Sequence, residues 1–276
     1  RISNMGFALL QRLESQNFGR GPLVTSLPLR QVGIADPGNV SVGAVALSAV
    51  NARLENVSVT GQMTQRNLGF NAYPHMGGLV GDMQGSEISD SYSNVNIQMT
   101  LPFGSAGGLV GVVYHSRILR SFAWGSIQGS NVGGLVGWGY QLSIEDSHVS
   151  PASMNSLPCQ TYDSPKVGGL IGVAVESQVR RSYSSAKVEL HSSCNYSGDS
   201  REFSGAFAGS FAGLASNSQI SASVVDASQE NGISTIGKSV NSTAEIFEYT
   251  HEQMTLNDSF IQLGWDFETV WQPLEG

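Results

Sequence analysis

The stretch Gly77-Gly78-Leu79-Val80-Gly81 decides the fold, because the same short pattern returns along the chain. The further copies are Gly107-Gly108-Leu109-Val110-Gly111, Gly133-Gly134-Leu135-Val136-Gly137 and Gly168-Gly169-Leu170-Ile171-Gly172. At fixed distances after each copy come an aliphatic residue, a serine and a ring: Ile88, Ser91 and Tyr92; Ile118, Ser121 and Phe122; Ile144, Ser147 and His148; Val179, Ser182 and Tyr183. A repeat with fixed internal spacing is typical of a stacked array, in which each unit buries its apolar face against its neighbours.

Two weaker copies extend the array to about six units. They are Gly209-Ser210-Phe211-Ala212-Gly213, before Ile220 and Ser223, and Gly43-Ala44-Val45-Ala46-Leu47, before Leu54. The segments between the glycines are short, and Val95, Ile97 and Met99 alternate with polar residues, which is typical of strands. We therefore predict an all-β solenoid of about six coils, with equivalent residues about 4.8 Å apart on successive coils.

The array and its two ends divide the chain into three predicted segments: an N-terminal cap at 1–40, the repeats at 41–236 and a C-terminal cap at 237–276. The N-terminal cap contains one expected helix, around Met5 to Gln16, which would cover the open edge of the first coil. In the C-terminal cap we expect a short helix over Thr243 to Asn257, and Trp265 and Trp271 packed on the last coil. An exposed aromatic platform for a sugar is the alternative for these tryptophans.

The Gly-Gly-Leu-Val-Gly units, followed by the Ile-x-x-Ser-Tyr pattern, resemble the GLUG repeat. The tail from Gly264 to Trp271 resembles the segment that often closes such arrays, and the resemblance covers roughly residues 40–272. It implies a right-handed parallel β-helix in a bacterial secreted or surface protein, such as the filamentous-haemagglutinin-like adhesins. It implies no catalytic residue.

Composition narrows the choice of partners. The net charge is -8 and charged residues make up only 13% of the chain, so no basic stripe is available for nucleic acid. No apolar run approaches the length of a membrane span, so we expect no membrane insertion. The chain begins at Arg1 without an initiating methionine or a signal peptide, so we expect a piece of a larger parent chain.

The two cysteines predict a disulfide. Cys159 and Cys194 each lie 22 residues past the last glycine of their own unit. Equal offsets on consecutive coils put the two residues about one strand spacing apart, which a disulfide accepts. A Cys159–Cys194 bridge would join the inserts at 150–166 and 191–204 and indicate an oxidising compartment. Two free thiols are the alternative, because the distances to the following glycines differ.

A column of alternating charge precedes the repeated serine: Asp90, Arg120, Asp146 and Arg181. We interpret it as opposite charges on neighbouring coils that stabilise one lateral face. The alternative is a pair of catalytic carboxylates, as in polysaccharide-active enzymes built on parallel β-helices. The histidines have no metal-ligand spacing, and His148 occupies the ring position of the repeat. We therefore predict a chain that is not an enzyme and uses no metal or cofactor.

Three classes of function fit these observations. The first is a binding module of a bacterial cell-surface or secreted adhesin, which attaches outside the cell to a glycan or a protein on another surface. Its ligand would contact the two inserts, where Tyr162, Tyr196 and Phe203 offer rings for stacking. The second is a purely structural stalk or spacer of a larger secreted protein. The third is a polysaccharide-active enzyme that depends on Asp90 or Asp146.

Overall fold

The computed structural model describes residues 41–65, 73–101, 103–159, 164–194, 205–229 and 232–271, and the backbone of strands Arg12–Glu14 and Leu27–Pro28. These residues form a parallel β-helix, because equivalent strands of successive coils pair in parallel and in register. The predicted all-β solenoid is confirmed. We number the coils by their ordered strands: 41–64, 75–98, 105–129, 131–156, 166–189, 207–226 and 236–249 for coils 1 to 7.

Three sheets run along the coils. Within the described residues, sheet 1 consists of Arg12–Glu14, Ala46–Val50, Val80–Gln84, Val110–Tyr114, Val136–Tyr140, Ile171–Val175, Ala212–Ser216 and Ile236–Val240. Sheet 2 consists of the short strands Arg53–Glu55, Glu87–Ser89, Arg117–Leu119, Ser143–Glu145 and Gln178–Arg180, and the long strands Leu27–Pro28, Ser58–Thr64, Tyr92–Gln98, Phe122–Gly129, His148–Ser156, Tyr183–Glu189, Gln219–Asp226 and Thr243–Tyr249. Sheet 3 consists of Ser41–Gly43, His75–Gly77, Ser105–Gly107, Asn131–Gly133, Lys166–Gly168 and Phe207–Gly209.

The array continues past residue 236, where the sequence predicted its end. Ile236–Val240 and Thr243–Tyr249 pair in parallel with coil 6 and form a seventh coil. The helix expected over Thr243 to Asn257 is therefore wrong in its first half. The pattern was missed because coil 7 keeps only Gly237 of the repeated glycines and has Ala244 opposite Ile220.

Short helices flank coil 7. The 3-10 turn Ala227–Gln229 precedes it, and the α-helices His251–Met254 and Asn257–Ile261 follow it. Thr250 begins the first α-helix with a capping box, in which its side chain accepts from the Gln253 backbone N–H and the Gln253 side chain accepts in return. Throughout the described ranges, no helix has both the length and the apolar character needed to cross a membrane.

The N-terminal segment extends the sheets. Arg12–Glu14 pairs with Ala46–Val50, and Leu27–Pro28 pairs with Ser58–Thr64. The helix expected around Met5 to Gln16 is therefore wrong at residues 12–14, and its other residues lie outside the described part of the chain. A strand is favoured at this place because it pairs with backbone groups at the edge of coil 1.

The core is a set of stacked apolar columns inside the coils. The aliphatic position of the repeat forms one column, which is at most 2% exposed: Leu54, Ile88, Ile118, Ile144, Val179 and Ile220. The leucine of the glycine motif forms a second, with Phe211 in the weak sixth copy: Leu79, Leu109, Leu135, Leu170 and Phe211. Burying one such side chain contributes about 1.5–3 kcal/mol, so these columns hold successive coils together.

Candidate binding surface

The repeated glycines bring the outer faces of sheets 1 and 3 together. A Cβ on Gly81 would lie 2.5 Å from the Val42 backbone nitrogen, and a Cβ on Gly111 would lie 2.7 Å from that of Met76. No side chain fits between these backbones, so only glycine permits the close approach. The strands of sheets 1 and 3 therefore meet at a tight corner, and their outward side chains face each other along the array.

We call the corner lined by these side chains the corner groove, although its own side chains fill it where they are at most 7% exposed, at Ser105, Val112, Val173, Phe207 and Leu214. Its sheet 3 wall is Ser41, His75, Ser105, Asn131, Lys166 and Phe207, and its sheet 1 wall is Ser48, Asp82, Val112, Trp138, Val173, Leu214 and Lys238. Contacts between the walls occur at both ends: His75 Nδ1 lies 2.6 Å from Asp82 Oδ1, and Lys238 Nζ lies 5.7 Å above the centre of the Phe207 ring.

An aromatic cluster occupies the middle of the groove and its rim. Trp138 lies on the wall, and Tyr114 and Tyr140 lie opposite each other on neighbouring strands of sheet 1. The Trp138 ring centre lies 5.2 Å from that of Tyr114 and 6.4 Å from that of Tyr140, and the Trp138 and Tyr140 planes differ by 17°. Tyr114 is 40% exposed, and His115 packs edge-on against Tyr140. These rings form an apolar platform that solvent reaches.

Polar contacts fix the edges of this cluster. Gln141 Nε2 donates to Glu176 Oε2 at 2.8 Å and lies 3.3 Å from the Tyr140 hydroxyl oxygen. The hydrogen bond with Glu176 raises the pKa of Tyr140 above its ordinary value. Burial, and then the charge of Asp82, raise the pKa of Tyr114. Both hydroxyls therefore stay protonated near neutral pH and can donate hydrogen bonds.

The coil 1 end of the groove holds an anchored carboxylate. Asp82 is in contact with His75 through one oxygen and accepts from the Ser41 hydroxyl through the other. About a third of the Asp82 side chain, 32%, remains exposed. Since an ionised carboxylate has about four acceptor sites, Asp82 can accept further hydrogen bonds from a ligand.

This surface was not predicted from the sequence. Its signal was the ring pair Trp138 and Tyr140, two residues apart directly after a glycine motif, with Tyr114 at the matching place of the preceding unit. Alternation at this spacing puts the rings on one face of a strand. The corner between sheets 1 and 3 decides whether that face points into the core or outward, and the sequence pattern does not reveal this corner.

The predicted disulfide is present. Cys159 and Cys194 are bonded, with their Cα atoms 4.9 Å apart, and join the bases of the two inserts. The Ser193 hydroxyl accepts from the Cys159 N–H at 3.0 Å, and the Ser156 hydroxyl accepts from the His191 N–H at 2.7 Å. The three rings proposed to contact a ligand there, Tyr162, Tyr196 and Phe203, lie outside the described residues, so that placement stays a prediction.

The charged column forms ion pairs between coils. Arg120 donates to both carboxylate oxygens of Asp90 at 2.7 Å, and Arg181 donates to Asp146 at 2.7 and 2.9 Å and also to Glu145. These contacts raise the pKa of Arg120 and of Arg181. The geometry therefore supports the interpretation of this column as opposite charges on neighbouring coils that stabilise the lateral face. Among the described residues, no group of three or more His, Cys, Asp or Glu side chains could hold a metal ion.

The two C-terminal tryptophans pack on the side of the array, against coils 4 to 6. Trp265 is 4% exposed, and its Nε1 donates to the Ala222 carbonyl of coil 6 at 2.8 Å. Trp271 lies against His148 and Tyr183 of coils 4 and 5, with ring centres 5.5 and 5.9 Å away. We expected the two tryptophans to pack on the last coil, and the structure instead places them on the side of the array. The alternative of an exposed platform does not fit the buried Trp265.

Comparison with known proteins gives a partial similarity. The chain is 32% identical over 158 residues to Halomucin from Haloquadratum walsbyi (strain DSM 16790 / HBSQ001). The match takes in 52% of this chain and 2% of Halomucin, so the chain spans a small fraction of that relative's length. No family model matches the chain, and no solved structure matches it. The resemblance to the GLUG repeat therefore stays a prediction.

Proposed function

We propose that this chain is an attachment module of a larger secreted or cell-surface protein, of the adhesin kind that the GLUG-like repeat implies, and that its partner docks on the exposed rings at the rim of the corner groove. The observation that carries the proposal is the solvent-accessible cluster of Tyr114, Trp138 and Tyr140. Exposed rings grouped with fixed polar neighbours are typical of binding sites. The ion pairs of the lateral face and the apolar columns of the core hold the coils together without these rings, so the fold does not require the cluster.

Two findings support a location outside the cell. The Cys159–Cys194 disulfide is of the kind that persists in oxidising compartments. The partial match to Halomucin, of which this chain covers a very small part, fits a module within a long repetitive parent chain. We propose no enzymatic role, because the carboxylates of Asp90 and Asp146 are each engaged by an arginine of the next coil.

A structural stalk is the second candidate. It is favoured by the unbroken apolar columns, which run through all the strong repeats and would make the array a rigid spacer. A stalk would tolerate any substitution that leaves the coils intact, whereas an attachment module would not tolerate the loss of its ring cluster.

Binding of the purified chain to a panel of cells and to immobilised glycans and proteins separates these functions. We compare the natural chain with a groove variant, Tyr114→Ala with Trp138→Ala, and with an insert variant, Tyr162→Ala with Tyr196→Ala. Saturable binding that the groove variant loses supports docking in the groove. Loss with the insert variant alone places attachment on the inserts and overturns the groove assignment. No binding by the natural chain overturns the attachment function and leaves the stalk.

A further inference from the structure

The free edge of coil 7 carries a charged side chain at a position that is buried in coils 1 to 6. We propose that this side chain, Glu248, prevents the coil 7 edges of two molecules from pairing, because pairing would bury its carboxylate. Coil 7 then ends the array and does not accept a further coil from a second copy of the chain. This inference goes beyond the attachment function and does not depend on it.

Glu248 continues a column of core residues. In coils 1 to 6 the residues of this column are at most 2% exposed: Val59, Ser93, Ala123, Val149, Ser184 and Val225. Glu248 pairs with Val225 in the same ladder, but it is exposed. Phe247, one residue earlier, packs with Val224 in the cluster on the outside of sheet 2. Since side chains of a strand alternate between its two faces, Glu248 points to the inner side of coil 7.

The edge beside Glu248 is open in the part of the chain that the structure describes. Ile236–Val240 is the last strand of sheet 1 there, and Thr243–Tyr249 pairs only with coil 6. Ala244 is exposed, although Ile220, its neighbour in coil 6, is 2% exposed. Backbone N–H and C=O groups that point away from coil 6 therefore have no strand among these residues to pair with. Such an edge is a template for a strand of another molecule.

No contact within the described array explains a glutamate at this position. Glu245, on the same strand, accepts a hydrogen bond from the Ala222 N–H at 3.2 Å, which holds it against coil 6. The Glu248 carboxylate makes no hydrogen bond or ion pair with any residue that the structure describes. Charged residues that point inward at a sheet edge are one way in which proteins prevent edge-to-edge pairing.

The carboxylate makes pairing of two coil 7 edges unfavourable. Such pairing would bury Ile236 and Ile246, which are partly buried core residues of coil 7, and would therefore be favourable by itself. A carboxylate that is taken out of water without a cation, however, costs several kcal/mol. Two copies related by a twofold axis each bring one Glu248, so this cost arises twice. The charge at this single position therefore decides whether the edge associates.

The test is sedimentation velocity of the natural chain and of Glu248→Val over roughly a hundredfold range of concentration. This substitution copies Val225 of coil 6 into coil 7. We expect the variant to associate at a concentration at least about tenfold lower than the natural chain does. Glu248→Ala removes the same charge with a smaller side chain and should act in the same direction, so it decides the result if the valine variant does not fold. If the folded variants associate no more than the natural chain, Glu248 has no such role.

Two control variants separate the position from the charge. Glu189→Val makes the same exchange on the outward face of the coil 5 strand, where the Glu189 side chain is 48% exposed and lies 2.6 Å from Lys187. It should leave association unchanged. Glu248→Lys keeps a charge at the core position and should behave as the natural chain does. Association of either control as strong as that of Glu248→Val would overturn the proposal.

Hydrogen exchange locates the contact between the associated molecules. In Glu248→Val, the amides of Thr243–Tyr249 that point away from coil 6 should become protected at concentrations at which the variant associates. The amides of Tyr92–Gln98, a strand that is paired on both sides, should not change. Protection that appears only on another surface would show that the coil 7 edge is not the place of contact, and the proposal would then be wrong.

Discussion

The repeated serine holds each lateral corner together by using both hydrogen-bonding capacities of its hydroxyl. Ser121 Oγ accepts from the Ser91 N–H of the preceding coil at 3.1 Å and donates to the Leu119 carbonyl at 2.8 Å. The Ser121 N–H in turn donates to Ser147 Oγ at 3.1 Å. Arg120, just before the serine, has a φ of 44°, and this left-handed corner turns the following N–H away from the regular ladder. The hydroxyl supplies the missing acceptor.

We predict that Ser121→Ala destabilises the protein by about 1–3 kcal/mol, since it leaves the buried Ser91 N–H without an acceptor. Urea unfolding followed by circular dichroism measures the change. Ser126→Ala is the control, because Ser126 is exposed on the same coil and its substitution leaves this ladder untouched. If both variants unfold at the same urea concentration, the serine corner does not contribute as described.

The serine repeat was visible in the sequence, but its role was not. The hydrogen bonds join equivalent residues of different coils, so they appear only when the register between coils is known. A second serine ladder was missed entirely because Leu142 and Ala52 interrupt it: Ser86, Ser116, Ser177, Ser218 and Ser242. Each of these serines also follows a residue in a left-handed corner, or a glycine with positive φ.

At the scale of elements, the ring position of the repeat forms a continuous stack on sheet 2. Tyr92, Phe122, His148 and Tyr183 follow one another with ring centres 5.0, 4.8 and 4.6 Å apart and planes within 12°. The C-terminal segment covers the coil 5 end of this stack through Trp271. Burial lowers the pKa of His148 to about 4 and raises that of Tyr183 to about 12. Near neutral pH the imidazole is therefore an uncharged ring in the stack.

This stack predicts a specific dependence of stability on pH. The unfolded chain binds a proton to His148 near pH 6.5, whereas the folded chain does so only near pH 4, so the free energy of unfolding decreases as pH falls through this window. Between pH 7 and pH 4 the natural chain should lose up to about 3 kcal/mol more than His148→Phe, in which the ring cannot be protonated. Urea unfolding at several pH values measures both proteins. Parallel curves would contradict a buried neutral His148.

The strands of this sheet were the most predictable elements. Tyr92–Gln98 alternates apolar and polar residues as a half-buried strand does, and its pairing follows from the repeat. The strands of coil 7 were not recognised, because Thr243–Tyr249 has a mostly exposed pattern at the open end of the array. The candidate site was the least predictable part. Placing Trp138 in a groove requires knowing that glycine corners bring two outer faces together.

At the scale of the whole molecule, the coils behave as interchangeable units, because each contacts its neighbours through the same register. Ser105 pairs with His75 on one side and with Asn131 on the other, so residues 105–130 make up one complete coil. Most of the difference in coil length lies between the long strand and the next strand of sheet 3, and one-residue register shifts occur within the long strands between coils 3 and 4, 4 and 5, and 6 and 7. The stability of such an array is approximately a sum over units and their interfaces.

We therefore predict that deleting residues 105–130 leaves a folded, cooperatively unfolding solenoid, because Gly104 then leads directly into Asn131 and coil 2 stacks on coil 4 through the same columns. Tyr92 would stack on His148, and Ile88 on Ile144. Deleting 105–117 instead removes half a coil and shifts every later column, so that chain should not fold. Circular dichroism and thermal unfolding distinguish the two outcomes.

The full deletion also brings Asp90 opposite Asp146, a like-charge pair that should destabilise the protein by up to about 1 kcal/mol. Adding Asp90→Asn should recover that loss. If the full deletion unfolds as completely as the half deletion, the coils are not independent units.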